Sequence, residues 1–248
     1  MTYRIIIAFS IASACFLSVV SAQKKGYYIE ETVITAMEEG QADSSPVKIW
    51  IAGDKFRRVQ GDSLDITIGR LDKGLFWNIS PQEKTYSVID LETMRQLGRF
   101  TMAMMGAQID KNGNLIIPDD LYLRTGEKKK IGAWNAEKVA LNKKYRGMME
   151  NFALWISSEC GAPPELYSDL MRHIFGDPNS DAQKLFKLWK QLNGYPVTIE
   201  MSMMGMKQTT ITQEISSTDI PDKLFELPAG LTEVENPMKD AFQRMHEE

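Results

Sequence analysis

The residues best suited to chemistry are two methionine clusters, MSMMGM at 201–206 and TMAMMG at 101–106, in a chain with 15 methionines. Thioethers are soft ligands that favour Cu(I), and they are also pliable filler for irregular apolar space. A copper site needs three or four sulfur or imidazole ligands to converge. The 201–206 stretch offers two thioethers on one face with no His or Cys nearby, and Met102, Met104 and Met105 complete a set only if their segment packs across it. Cys160, in SSECGAPPEL ahead of a helix start at Pro163-Pro164, sits where a helix dipole lowers a thiol pKa. A nucleophile also needs an orienting base. The two histidines give little support: His173 lies among apolar helix positions and His246 in a charged tail, so Cys160 reads as a small residue in a turn. Asp110-Lys111-Asn112-Gly113-Asn114 resembles a calcium loop only superficially, because its glycine comes fourth and no glutamate follows at position twelve; an Asn-Gly turn is the simpler reading. No HExxH, GxSxG or paired-carboxylate motif occurs.

Short alternating segments must position these residues. VKIWIAG (47–53) sets Val47, Ile49 and Ile51 on one face, LDITIGR (64–70) does the same with Leu64, Ile66 and Ile68, and LFWNI and KTYSVIDL follow around a Ser80-Pro81-Gln82 turn. This is an antiparallel meander with one apolar face. The period then changes: over 91–107, Met94, Leu97, Thr101 and Met105 form a helical stripe flanked by Met102 and Met104, predicting an amphipathic helix whose methionine face rests on the sheet. Residues 121–144 and 152–157 predict more strands, with Lys128-Lys129-Lys130 as a solvated strand edge. Helices are expected over 164–175 and about 180–192, the second stopping at Gly194. In PVTIEMSMMGMKQTTITQEIS, Val197, Ile199, Met201 and Met203 share one strand face, before a turn at Met204-Gly205-Met206. The methionines of the 201–206 stretch therefore end an apolar strand face.

The chain opens with Arg4, an apolar run and Val20-Ser21-Ala22, the pattern of a secretory signal over 1–22; a competing reading makes Cys15 a lipidated anchor. Removing residues 1–22 takes Arg4 with it and lowers the whole chain's formal charge of −4 by one, so nucleic acid is not an expected partner. Cys160 is then the one cysteine left, which excludes an internal disulfide. A single domain over 23–234 and a charged tail over 235–248 are expected, with no later transmembrane span.

The order of VKIWIAGDKFRRV, ITIGRLDKGLFWNISPQEKTYSVI, RTGEKKKIGAWNAEKVAL, LWIS, GYPVTIEM and IPDKLFELPAGLTEV resembles a secreted bacterial domain family of unassigned function, itself similar to the LolA and LolB lipoprotein carriers of the Gram-negative periplasm. The resemblance implies an α+β fold: a strongly curved antiparallel sheet, an incomplete β-barrel, with helices over its concave apolar face and an acyl-chain cavity between. The carriers hold a basic residue in a Phe-Arg strand that helps control cavity closure, and Phe56-Arg57 is the nearest match here. The helical insertion at 163–193 departs from the carriers, so lipoprotein transport itself does not carry over.

The leading expectation is a non-enzymatic, exported, periplasmic protein that binds a lipid, lipoprotein or other apolar ligand, without cofactor or metal. Its ligand-lining residues would be Ile49, Ile51, Arg57, Ile66, Ile68, Met94, Met102, Met105, Val197, Ile199, Met201 and Met203. The alternatives are an envelope interaction protein whose core is filled by its helices, and Cu(I) binding by methionine.

Overall fold

The computed structural model describes residues 24–37, 40, 42–61, 65–104, 108–111, 115–145, 149–175 and 183–236. β-Branched and aromatic residues alternate with polar ones through much of this chain, and that period commits it to strands. The first half holds β1 (Lys24–Met37), β2 (Asp43–Ala52), β3 (Lys55–Gln60), β4 (Asp65–Arg70), β5 (Leu75–Ser80), β6 (Thr85–Asp90), α1 (Leu91–Met104), and the short strands β7 (Gln108–Ile109) and β8 (Leu115–Ile116). The second half holds β9 (Tyr122–Ile131), β10 (Trp134–Leu141), β11 (Met149–Ser157), α2 (Leu166–Phe175), α3 (Gln183–Gln191), β12 (Tyr195–Met203), β13 (Met206–Ile220) and β14 (Thr232–Glu233).

Twelve strands form one open sheet in the order β14-β6-β5-β4-β3-β2-β1-β13-β12-β11-β10-β9, and β7 pairs with β8 apart from it. Two meanders, β2 to β6 and β9 to β13, are joined through β1, which pairs with β13 from Lys24 to Met37 and with β2 on its other side. Every ladder is antiparallel except β14 on β6. α2 and α3 interrupt the second meander between β11 and β12, and α1 follows β6 at the end of the first. Among the described residues no helix is long and apolar enough to cross a membrane.

Both faces of the sheet bury apolar side chains. On one face Ile29, Val47, Ile49, Ile51 and Val197 share a core with Leu166 and Leu170 of α2 and Leu185 and Trp189 of α3, which makes it the helix side. On the other, Val59, Ile66, Ile68 and Ile79 form a second core with Phe225, closed by Leu224, Leu227 and Leu231 of the C-terminal segment. A fully buried side chain of this kind contributes roughly 1.5–3 kcal/mol. The expected single apolar face is therefore corrected: β3 to β6 are wrapped from both sides.

The strands and helices expected from periodicity are present as β2, β4 to β6, β9 to β13 and α1 to α3 with shifted ends, whereas β1, β3, β7, β8 and β14 had no expected bounds. α3 ends through Asn193, whose φ of 57° is left-handed, rather than through the expected Gly194. Gly194 is needed for close approach instead: a Cβ there would lie 2.6 Å from the Ser157 carbonyl oxygen. The hairpin turn between β12 and β13 consists of Met204 and Gly205 alone, with φ of 51° and 76°, the two positive values of a two-residue turn that follows strand twist. Met206, expected in the turn, is already the first residue of β13. Residues 1–22 with Arg4 and Cys15, Leu64, the 112–114 part of the Asn-Gly turn, Met105 and His246 lie outside the described residues.

Candidate functional site

β12 carries the site. Alternation puts Tyr195, Val197, Ile199, Met201 and Met203 on its helix side, and burial falls along the strand. Tyr195 and Val197 are fully buried beneath α2 and α3, whereas Ile199, Met201 and Met203 are half-buried. Aromatic packing accounts for the difference. Tyr167 of α2 meets Trp189 of α3 and Tyr195 edge-on, with ring centroids 5.6 and 5.9 Å away, and Phe186 packs 5.8 Å from Trp189. These rings fill the space over the Tyr195 end of the strand.

The other end is lined by sulfur. Met203 pairs directly with Met206 across the hairpin and with Met149 of β11 on its other side, and Met206 pairs with Met37 of β1. Directly paired residues share a face, so four methionines stand in one row across β1, β13, β12 and β11, with strands about 4.8 Å apart. Met201 stands one step inward opposite Phe152, whose ring lies 6.2 Å from that of Tyr122 and links the row to the aromatic cluster. Exposure rises along the row from Met149, 3% exposed, to Met37, 60% exposed.

A carboxyl group is buried on the same side. Glu31 of β1 is 8% exposed and accepts a hydrogen bond from the Tyr195 hydroxyl at 3.3 Å. Burial pushes its carboxyl above the ordinary glutamate range, against the hydrogen bond from Tyr195 and the nearby positive charge of Arg58. Burial in turn draws the Arg58 guanidinium down. Cys160 is also buried, its thiol 3.5 Å from the Ser157 carbonyl oxygen, and burial pushes its pKa up rather than down.

The residues expected to line one cavity do not all meet. Ile49, Ile51, Val197, Ile199, Met201 and Met203 share the helix-side core. Ile66 and Ile68 lie in the second core: the register sets Arg57 opposite both Trp50 and Ile68, on the face away from Ile49 and Ile51. Arg57 donates to the Leu224 carbonyl oxygen at 3.1 Å and holds the C-terminal segment, so it sits on the wrong face for the closing role its Phe-Arg neighbourhood implied. Met94 is half-buried in α1, a helix whose described contacts are mainly with α2 and β6. Met102 lies in the same helix, and its side chain, like Met105, is outside the described residues. Sequence reasoning missed Met37, Met149, Phe152 and Met206. The signal was present as alternating Val33-Thr35-Met37, but the pairing of β1 with β13 spans most of the chain and leaves no local trace.

Two cavities lie away from the row. One of about 250 Å³ on the second face is bordered by Tyr28, Trp50, Pro221 and Leu224. One of about 570 Å³ lies over β9 and β10, beside Ile156 of β11 and Leu192 and Asn193 after α3. Among the described residues no three His, Cys, Asp or Glu side chains cluster as a metal site.

No family model matches the chain, and no curated protein matches it in sequence. It is similar to solved structures across most of its length. An uncharacterised conserved protein from Thermus thermophilus is 11% identical with a TM-score of 0.46, over 84% of this chain and 90% of that one. A putative outer membrane lipoprotein-sorting protein domain from Vibrio parahaemolyticus is 10% identical with a TM-score of 0.33, over 82% and 89%. A LolA superfamily protein from Nitrosomonas europaea is 10% identical with a TM-score of 0.35, over 83% and 91%, so LolA superfamily proteins stand among the structural neighbours of this chain.

Proposed function

We propose that this is a non-enzymatic, exported binding protein for a lipid, lipoprotein or other apolar ligand, and that an acyl chain lies along the methionine row. In this reading the sheet is an incomplete barrel, α2 and α3 cover one half of its concave face, and the half bearing Met201, Met203 and Phe152 receives the ligand. The observation that carries it is the row itself: Met37, Met206, Met203 and Met149, directly paired and graded from exposed to buried. Flexible thioethers fit chains of varying shape, and each buried methylene contributes about 0.8 kcal/mol. Of the expected lining, Ile199, Met201 and Met203 are the residues that touch the ligand in this reading. The location fitting this role is the Gram-negative periplasm, reached through cleavage after Ala22 or by an anchor on Cys15; mass analysis of the exported N-terminus separates the two.

Uptake of a fluorescent fatty acid tests the reading. Met201→Gln with Met203→Gln should weaken uptake, while Met204→Gln, at the exposed turn, should not. Equal uptake by both variants would overturn it. The filled aromatic half favours a second reading, an interaction protein with no ligand, for which the native protein never takes up the probe. Cu(I) binding by the thioethers would instead raise the melting temperature, and the double substitution would abolish that rise.

A further inference from the structure

A cavity of about 570 Å³ lies over β9 and β10, between the end of β11 and the residues that follow α3, with Lys128, Lys130, Glu137 and Leu192 in its lining, away from the methionine row. Among the described residues β9 pairs with β10 on one side only, and Leu123 to Lys130 are all exposed. In an antiparallel ladder every second residue of an edge strand points its N–H and C=O away from the neighbour. The ladder with β10 shifts register between Arg124 and Lys128, where Gly126 has a φ of 81° and the Glu127 N–H donates to the Thr125 hydroxyl, so the regular part of this edge is Lys128 to Ile131. Its basic side chains divide into two kinds. Arg124 is committed, to Glu137 at 2.7 Å and to the Leu192 carbonyl oxygen at 2.7 Å. Lys129 also borders the cavity, but its side chain is committed to Glu200 at 3.4 Å and over the Trp155 ring at 3.8 Å. Lys128 and Lys130 line the cavity, and neither makes an ion pair or side-chain hydrogen bond among the described residues. They are two residues apart on one face of one strand, about 6.7 Å along it.

We propose that the free edge of β9 receives an extended acidic peptide segment of a partner protein as an added strand, with carboxylates at alternate positions meeting Lys128 and Lys130. Backbone pairing supplies affinity that any extended chain could use, and the two uncommitted ammonium groups restrict it to acidic ones. The same lysines act against a second copy of this chain, because edge-to-edge pairing of two β9 strands brings lysine-rich segments together. This inference is independent of the apolar-ligand reading and uses none of its residues.

The test uses the exported chain and a fluorescein-labelled peptide of alternating Val and Glu. Anisotropy should show binding that weakens with salt and falls about tenfold or more in Lys128→Glu with Lys130→Glu, while Lys207→Glu, an exposed lysine on β13, leaves it unchanged. Both lysines are exposed and only the new carboxylate at 128 meets a like charge, Glu137 opposite it, so melting temperature should fall only slightly and loss of binding by the folded variant reports the site. The same peptide N-methylated at alternate amides should fail to bind. Absence of binding, equal binding by the double variant, or equal binding of the N-methylated peptide or of inorganic polyphosphate would each overturn strand addition by an acidic segment.

Discussion

Met149 and Met37 stand at opposite ends of one cross-strand row, the first 3% exposed and the second 60% exposed. Their truncation should therefore differ sharply although the residue is the same. Met149→Ala should lower stability to urea by about 2–5 kcal/mol. Met37→Ala should stay within about 0.5 kcal/mol of the native protein. Comparable losses at both sites would mean the exposed end is covered in solution.

Arg57 joins β3 to the C-terminal segment by one charged hydrogen bond to the Leu224 carbonyl, beside the Lys55–Asp222 ion pair at 2.8 Å. Arg57→Ala should cost about 1–3 kcal/mol and open the 221–231 segment first. Hydrogen exchange should show that segment losing protection while α2 keeps its own. Equal loss in both would show that the segment does not open separately.

Gly194 and Asn193 make a matched pair of tests. Gly194→Ala forces a Cβ against the Ser157 carbonyl and should destabilise by about 1–3 kcal/mol. Asn193→Gly relieves a left-handed residue and should change stability by no more than about 1 kcal/mol. Thermal melts of the two variants decide whether the helix end is limited by packing or by backbone conformation.

Glu31 has its pKa raised by burial above the ordinary 4.5, so the folded state prefers the protonated carboxyl. Its contribution to stability is full below that ordinary value and is lost as pH rises through the raised one. Glu31→Gln mimics the neutral form. The variant should match the native protein at about pH 4 and exceed its melting temperature at about pH 8, with Tyr195 and Arg58 the neighbours that decide the size of the gain. A variant less stable at the higher pH would mean that the attraction of Arg58 for the carboxylate outweighs burial.

Cys160 is buried with a raised pKa, so a thiol reagent should modify the native protein far more slowly than the unfolded one at neutral pH. Cys160→Ser should leave fatty-acid uptake unchanged. Rapid modification of the native protein would reopen the case for a reactive thiol.

The sequence made the strands and helices legible because each rests on local periodicity: Val47-Ile49-Ile51, Val197-Ile199-Met201 and Leu166-Leu170 all lie where their spacing put them. It did not tell one face of the sheet from the other. Ile49 and Ile68 have the same alternating context, and only the register of β2, β3 and β4 sends them to opposite cores. Nor did it show that 221–231 would pack on the second face, since Phe225 ends a single 3₁₀ turn, Asp222–Phe225, and Leu227 follows it, too short a stretch for a period to be read. The methionine row was half visible: the 201–206 hairpin is local, but Met37 and Met149 arrive through strands that pair across long stretches of chain.

The place of β1 between β2 and β13 also sets the order of assembly. Its earlier partner, β2, follows at once, but its other edge stays empty until residues 206–220 are available. Closing that seam demands a loop of nearly the whole chain, which makes folding slow relative to a protein built of neighbouring contacts. A chain ending before β13 would keep two separate meanders, each with a bare central strand open to intermolecular pairing. Aggregation on truncation, rather than a stable fragment, is the behaviour this topology builds in.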